Sequence, residues 1–213
     1  MLPCYAAPNM SQLNFRVLEM RRSEPEEWLN FWAKRYPASY DEAKYNDLIK
    51  RHASLSADDF RRIGQWKDEA TTDNQWKPNV ASVAYRIWEQ AADELPKCPQ
   101  GKAIAAFLKD WSGREYTDNF ESGPRKKHFG LSRATTLLHF ISGGQYPIYD
   151  SRVRTAIARL LDEPEMHNDV SSYLDSYIPR FEDLARHCDT VDRRMLDKAL
   201  FSYGALDKST FTN

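Results

Sequence analysis

The chain is poor in cysteine. Cys4, Cys98 and Cys188 are the three in 213 residues. So few thiols, odd in number and far apart, exclude a disulfide framework and lack the paired spacing of a zinc motif. A reducing, cytoplasmic compartment is the expectation. The five histidines (52, 128, 139, 167, 187) are equally dispersed, so no metal constellation and no cofactor are expected. No apolar run approaches the ~20 residues that a membrane-spanning helix needs, and no membrane partner is expected. The start, MLPCYAAPNM, has neither a charged head nor a long apolar stretch, unlike a signal peptide. Residues 1–9 read as a flexible leader before a single domain over residues 10–213. There is no internal repeat and no low-complexity tract. Net charge is nearly absent as well, at −1.

What is present is a globular composition: 41% hydrophobic, 13% aromatic and 29% charged. That is enough apolar surface for a core. The small net charge hides an uneven distribution. Residues 1–122 carry 17 basic and 19 acidic side chains, and residues 160–213 carry 6 and 11. Residues 123–159 carry seven Lys/Arg and a single acid, Asp150. A basic window of that kind suits a polyanion. It equally suits internal pairing with the acidic C-terminal third.

The hydrophobic pattern is helical nearly throughout. Helices are expected over residues 24–35, 41–51, 56–67, 79–94, 100–111, 131–142, 151–161, 170–187 and 191–203. Pro25 suits a first helical turn, Ser56 with Asp59 forms a capping box, and Asn79 suits an N-cap. Gly204 suits a C-terminal cap, and Pro179 interrupts the helix over 170–187. Residues 68–78 and 112–130 read as irregular. With no sustained two-residue alternation, any sheet is small. The expected fold is all-α, with about nine to ten helices at ordinary helix lengths.

The run from Lys127 to Ala158 holds the most chemistry. A Gly-containing turn at Phe129-Gly130-Leu131-Ser132 opens an amphipathic helix. A break at Gly143-Gly144 follows, and then Tyr146-Pro147-Ile148-Tyr149 delivers Asp150 to the next helix start. This order of parts resembles the helix-hairpin-helix DNA glycosylase superfamily, whose members include endonuclease III and 8-oxoguanine DNA glycosylase. Gly130-Leu131-Ser132 matches the family's hairpin, with Ser132 in place of its second glycine. Pro147-Ile148-Tyr149-Asp150-Ser151-Arg152-Val153 matches the segment bearing the catalytic aspartate. Fainter likeness covers PNVASVAYRIWEQAADELP (78–96) and DRRMLDKALFSYG (192–204). The subgroup implied is the bacterial 8-oxoguanine-glycosylase-like (OGG-fold) proteins, some of them encoded in antiphage signalling operons. The resemblance implies a helix-hairpin-helix glycosylase-like fold in two closely packed lobes.

The resemblance also assigns roles. Asp150 falls on the catalytic aspartate, where a carboxylate beneath a sugar stabilises an oxocarbenium-like state or activates water. As a helix N-cap it has a structural reading too, and the two are compatible. The Schiff-base lysine of bifunctional members corresponds to Ala134, so any cleavage would be hydrolytic. The turn amides of Gly130 and Ser132 can receive a phosphate, with Arg125, Lys126, Lys127, Arg133 and Arg152 supplying charge. Asn79 corresponds to the residue that fills the gap left by a flipped base. Asp197 and Phe201, spaced i, i+4, would line a base pocket; the plainer reading is a core Phe beside a surface acid. His139 reads as a satisfied, half-buried histidine.

Two functions of different class follow. One is a monofunctional N-glycosylase acting on a modified purine in nucleic acid, DNA foremost, or in a nucleoside. The other is a non-catalytic nucleic-acid-binding or partner-binding module of antiphage defence, whose protein partner comes from the same operon. A helical interaction domain that meets no nucleic acid is a third.

Overall fold

The computed structural model describes residues 25–69, 87–94, 98–120, 123–188 and 192–206. The expected helix start at Asn79 and the leader over 1–9 lie outside the described residues. In chain order the elements are α1 (Pro25–Ala33), α2 (Glu42–Lys50), α3 (Ala57–Glu69), α4 (87–94), α5 (Ala103–Gly113), β1 (Glu115–Phe120), β2 (Gly123–His128), α6 (Leu131–Ile141), α7 (Ser151–Leu161), α8 (Val170–Ser172), a π-turn (Tyr173–Tyr177), α9 (Ile178–His187) and α10 (Arg193–Gly204). The described residues are mostly helical, and their one sheet is the antiparallel pair β1–β2. None of these helices is long and apolar enough to cross a membrane.

The chain divides into two compact units: residues 37–148, and residues 1–36 together with 149–213. The first is built on α6. Its residues Ala134 to Ile141 are buried without interruption, so this stretch is covered on every side and not along one amphipathic face alone. The capping box at α3 is present, with Ser56 N–H donating to Asp59 at 2.9 Å and Asp59 N–H donating to Ser56 Oγ at 3.3 Å. His139 is satisfied on both ring nitrogens. Its Nδ1 lies 2.7 Å from the Tyr146 carbonyl oxygen, which can only accept. Nδ1 therefore carries the proton, and Nε2 accepts from the Tyr45 hydroxyl at 2.8 Å.

Residues 112–130 are not irregular, as the sequence suggested. The end of α5 and a β-hairpin occupy most of them, with Glu115 opposite His128, Thr117 opposite Lys126 and Asp118 opposite Arg125. An isolated ribbon has no core face of its own, so it need not show alternating apolar residues. Lys126 on β2 meets Glu115 on β1 at 3.4 Å, an opposite-charge contact across the strands. The ladder runs on through Phe129 N–H to Arg114 O (2.8 Å) and Gly130 N–H to Ser112 O (3.0 Å). Phe129 is held between Trp88 and Trp111, with ring centroids at 4.8 and 5.8 Å.

The other unit is built on α1, α7 and α10. Trp28 and Trp32 meet the ring of Tyr203 edge-on at 5.6 and 5.3 Å. Gly204 is the last residue of α10 and not a left-handed cap beyond it. Its role is close approach: an ideal Cβ there would lie 1.8 Å from the Arg152 carbonyl oxygen. Before Pro179 the helix is widened, not broken. Proline offers no N–H to the carbonyl four residues back, and the Ile178 N–H instead reaches Tyr173 O, five residues back, closing a π-turn.

Gly204→Ala must push α10 off α7. We expect it to cost about 2–3 kcal/mol or more, read as a lowered urea midpoint at unchanged m-value. A wild-type midpoint would mean that the close approach is easily relaxed.

Candidate active site around Asp150

The segment ahead of α7 is pinned before it reaches Asp150. Ile148 and Tyr149 are buried, and the Tyr149 hydroxyl donates to the His167 carbonyl. Arg154 fastens the same loop by donating to Met166 O and pairing with Glu165 at 3.5 Å. Its guanidinium stands 5.1 Å from the Tyr149 ring centre. Asp150 then takes an extended backbone conformation and caps α7. Its Oδ1 accepts from Arg152 N–H at 3.0 Å. The residue is half-buried, so its carboxylate is both fixed and reachable.

The face of α10 that the sequence singled out lies in the same unit. Asp197 is not the surface acid of the plainer reading, because it is 9% exposed. It accepts from Arg194 at 2.5 Å, and each of the two side chains is 12% exposed. Phe201 is buried. The Arg152 guanidinium lies 4.7 Å from its ring centre, and the Tyr36 ring meets it edge-on at 5.3 Å. Arg194 in turn stands 4.7 Å over Tyr36. Cations and aromatic rings thus interleave around one paired carboxylate.

The same unit holds a tyrosine cluster. Tyr149, Tyr173 and Tyr177 have ring centroids 4.7 to 5.7 Å apart. Burial first, then Asp197, Tyr173, Asp150 and Tyr149, hold the Tyr177 phenol well above its ordinary range. It is therefore protonated at every working pH.

Apart from Arg152, the described residues expected to bind phosphate lie in the other unit. Gly130 has the positive φ of 83° that favours glycine, and it stands at the N-terminus of α6 without a side-chain cap. Its amide is taken by Ser112 O, which leaves the first-turn amides from Leu131 and Ser132 onward as anion donors. Arg133 donates to Phe129 O at 3.1 Å and lies 6.0 Å from the Tyr116 ring centre. Lys126, with its side chain 80% exposed, pairs with Glu115 at 3.4 Å. Lys127 is exposed. Arg125 sits on β2 opposite Asp118. Asn79 is outside the described residues.

Sequence reasoning missed Arg194, Tyr36 and Tyr177. Arg194 had a signal, since it sits three residues before Asp197 on one helix face. Among the described residues no group of three or more His, Cys, Asp or Glu is arranged to hold a metal ion. Burial pushes the Cys188 thiol up to about 11, so it is not a thiolate nucleophile near neutral pH.

Arg194→Met leaves the Asp197 carboxylate buried without its guanidinium. The expected loss is about 3 kcal/mol, and Arg194→Met with Asp197→Leu should recover much of it. Chemical denaturation of both single variants and the double variant measures the coupling. Strictly additive losses would show that the pair does not hold α10 together.

No family model matches the chain, and neither does any curated protein or solved structure.

Proposed function

We propose that the chain is a hydrolytic, 8-oxoguanine-glycosylase-like N-glycosylase that releases a modified purine from nucleic acid or from a nucleoside, with Asp150 as the reactive carboxylate. One observation carries the reading. Arg152 donates its N–H to the Asp150 carboxylate at 3.0 Å and holds its guanidinium 4.7 Å from the Phe201 ring centre, so the expected catalytic carboxylate and the expected pocket ring share one neighbour. A planar base that takes the place of the guanidinium over the Phe201 ring gains stacking.

The chemistry asked of Asp150 is modest. The C1′–N bond lengthens, positive charge grows on the sugar, and a fixed carboxylate nearby stabilises it. Water adds to C1′ and yields its proton, with Asp150 as the acceptor. The base departs with the bonding electron pair and takes up a proton. By the resemblance, Ala134 corresponds to the position of the amine in the bifunctional enzymes, so no imine would form and the sugar–phosphate strand would stay intact.

The second reading is a binding module without catalysis. It is favoured by the covering of Phe201, whose ring is already met by Arg152 and Tyr36. In that reading the cations of β2 and α6 hold the strand and no bond breaks. A partner from an antiphage operon is the alternative occupant of the same module.

Asp150→Asn retains a capping oxygen and removes the charge. Base release from an oligonucleotide carrying a modified purine is expected to fall by about a hundredfold or more, with folding and binding retained. Borohydride should trap no protein–DNA adduct in the wild type, since trapping needs a lysine imine. If the wild type releases no base across a panel of modified purines, the binding-module reading replaces this one.

Lys126→Glu with Lys127→Glu tests the cationic hairpin. Affinity should drop, and the dependence of log Kd on log salt should flatten by roughly one unit for each phosphate that the variant no longer neutralises. An unchanged slope removes β2 from the interface.

A further inference from the structure

We propose that the surface formed by α1 and α10 is a stacking track for single-stranded DNA, running from Phe31 and Arg35 through Tyr36 to Phe201. Its inner end rests on the reading of Phe201 as the pocket ring, and it narrows the substrate of that reading to an unpaired strand.

Among the described residues Phe31 is the one large apolar side chain that is exposed, at 48%. It is not a bare patch. The Arg35 guanidinium lies 3.4 Å from its ring centre and 5.9 Å from that of Trp32. Arg35 is fixed there by donating to the Phe31 carbonyl at 2.7 Å. Trp32 meets Phe31 edge-on at 5.2 Å. A guanidinium held against a ring is itself a stacking plane for a nucleobase, and its remaining N–H groups can donate to phosphate oxygens.

The same mixture continues toward α10. Tyr36 meets Phe201 edge-on at 5.3 Å. Arg194 and Lys198 stand 4.7 and 5.8 Å from the Tyr36 ring centre, and Arg152 stands 4.7 Å from that of Phe201. All these residues belong to one unit. Arg194 is neutralised by Asp197, but among the described residues neither Arg35 nor Arg152 pairs with an acid. Both are exposed, one at each end of the run. Rings interleaved with such cations match a polynucleotide whose bases are splayed, with rings for the bases and cations for the phosphates. A duplex hides its base faces, and a nucleoside offers only one base. Glu26 and Glu27 open α1, and their charge sets the outer limit of the track by repelling phosphates.

The test is a fluorescence-anisotropy titration of the full chain with a labelled oligodeoxythymidylate of about ten nucleotides, and with a blunt duplex. Phe31 is exposed, so Phe31→Ala does not threaten the core. It should weaken binding of the single strand about fivefold or more and leave the duplex unchanged, and Phe31→Trp should retain the affinity. Arg35→Gln should flatten the dependence of log Kd on log salt by roughly 0.7. A wild type that binds no single strand overturns the proposal. So does a Phe31→Ala affinity equal to the wild type's, or an equal loss on strand and duplex. Tighter binding of an oligouridylate overturns the choice of DNA. A Phe31→Ala change confined to self-association assigns the surface to a second copy and overturns the track. Base release keeps the two readings apart. Strand binding that depends on Phe31, with no base released by the wild type, sinks the glycosylase and leaves the track standing. Base release and strand affinity both unchanged in Phe31→Ala sink the track and leave the glycosylase.

Discussion

The approach that most constrains the unit holding Asp150 is the bare backbone of Gly204 against Arg152. At that point α10 comes nearer to α7 than any side chain permits. The consequence is angular as much as energetic. A helix pinned at its last residue can swing only about that point, and Tyr203, wedged against Trp28 and Trp32, limits the swing. Asp197 and Phe201 ride on the pinned helix. Arg152 belongs to the first turn of α7, and its N–H is held by the Asp150 carboxylate. One residue therefore reports on three features: its amide meets the Asp150 carboxylate, its carbonyl lies at the helix crossing, and its guanidinium meets the Phe201 ring.

Charge in this protein is largely spent within the fold. The basic window of residues 123–159 is conspicuous in the sequence, yet its members have separate employments. Arg154 holds the loop at Met166 and Glu165, Arg159 donates to Leu206 O at 2.9 Å, and Arg133 donates to Phe129 O. Strand β1 sets Glu115 and Asp118 alongside β2. Pairing with the acidic C-terminal third takes Arg154, through Glu165, while Lys126 pairs with Glu115 of the neighbouring strand. Any attraction for a polyanion is accordingly local, and it should be strongly screened at physiological salt.

The helices were legible because their signals are local. Pro25 begins α1, the Ser56–Asp59 box opens α3, and Asp150 caps α7, each where its chemistry predicts. The hairpin was not legible, because a two-stranded ribbon of polar residues has no periodicity to betray it. Gly204 was seen as a helix end, and its real role depends on where a distant carbonyl lies. The π-turn was half visible: Pro179 announced a disturbance, but whether a helix breaks or widens depends on the packing of Tyr173 and Tyr177. Of the candidate site, Asp150, Asp197 and Phe201 could be named from pattern and resemblance. What ties them together could not, because the sequence offered Arg152 only as a phosphate contact, whereas its N–H meets Asp150 and its guanidinium meets Phe201.

Arg194, bound to Asp197, lies over Tyr36, and Tyr36 lies against Phe201, whose ring the Arg152 guanidinium also meets. Arg152 in turn gives its N–H to Asp150. The two carboxylates are thus joined through a continuous run of packed cations and rings. Removing one member disturbs the groups on either side of it, so substitutions along the run are expected to be non-additive.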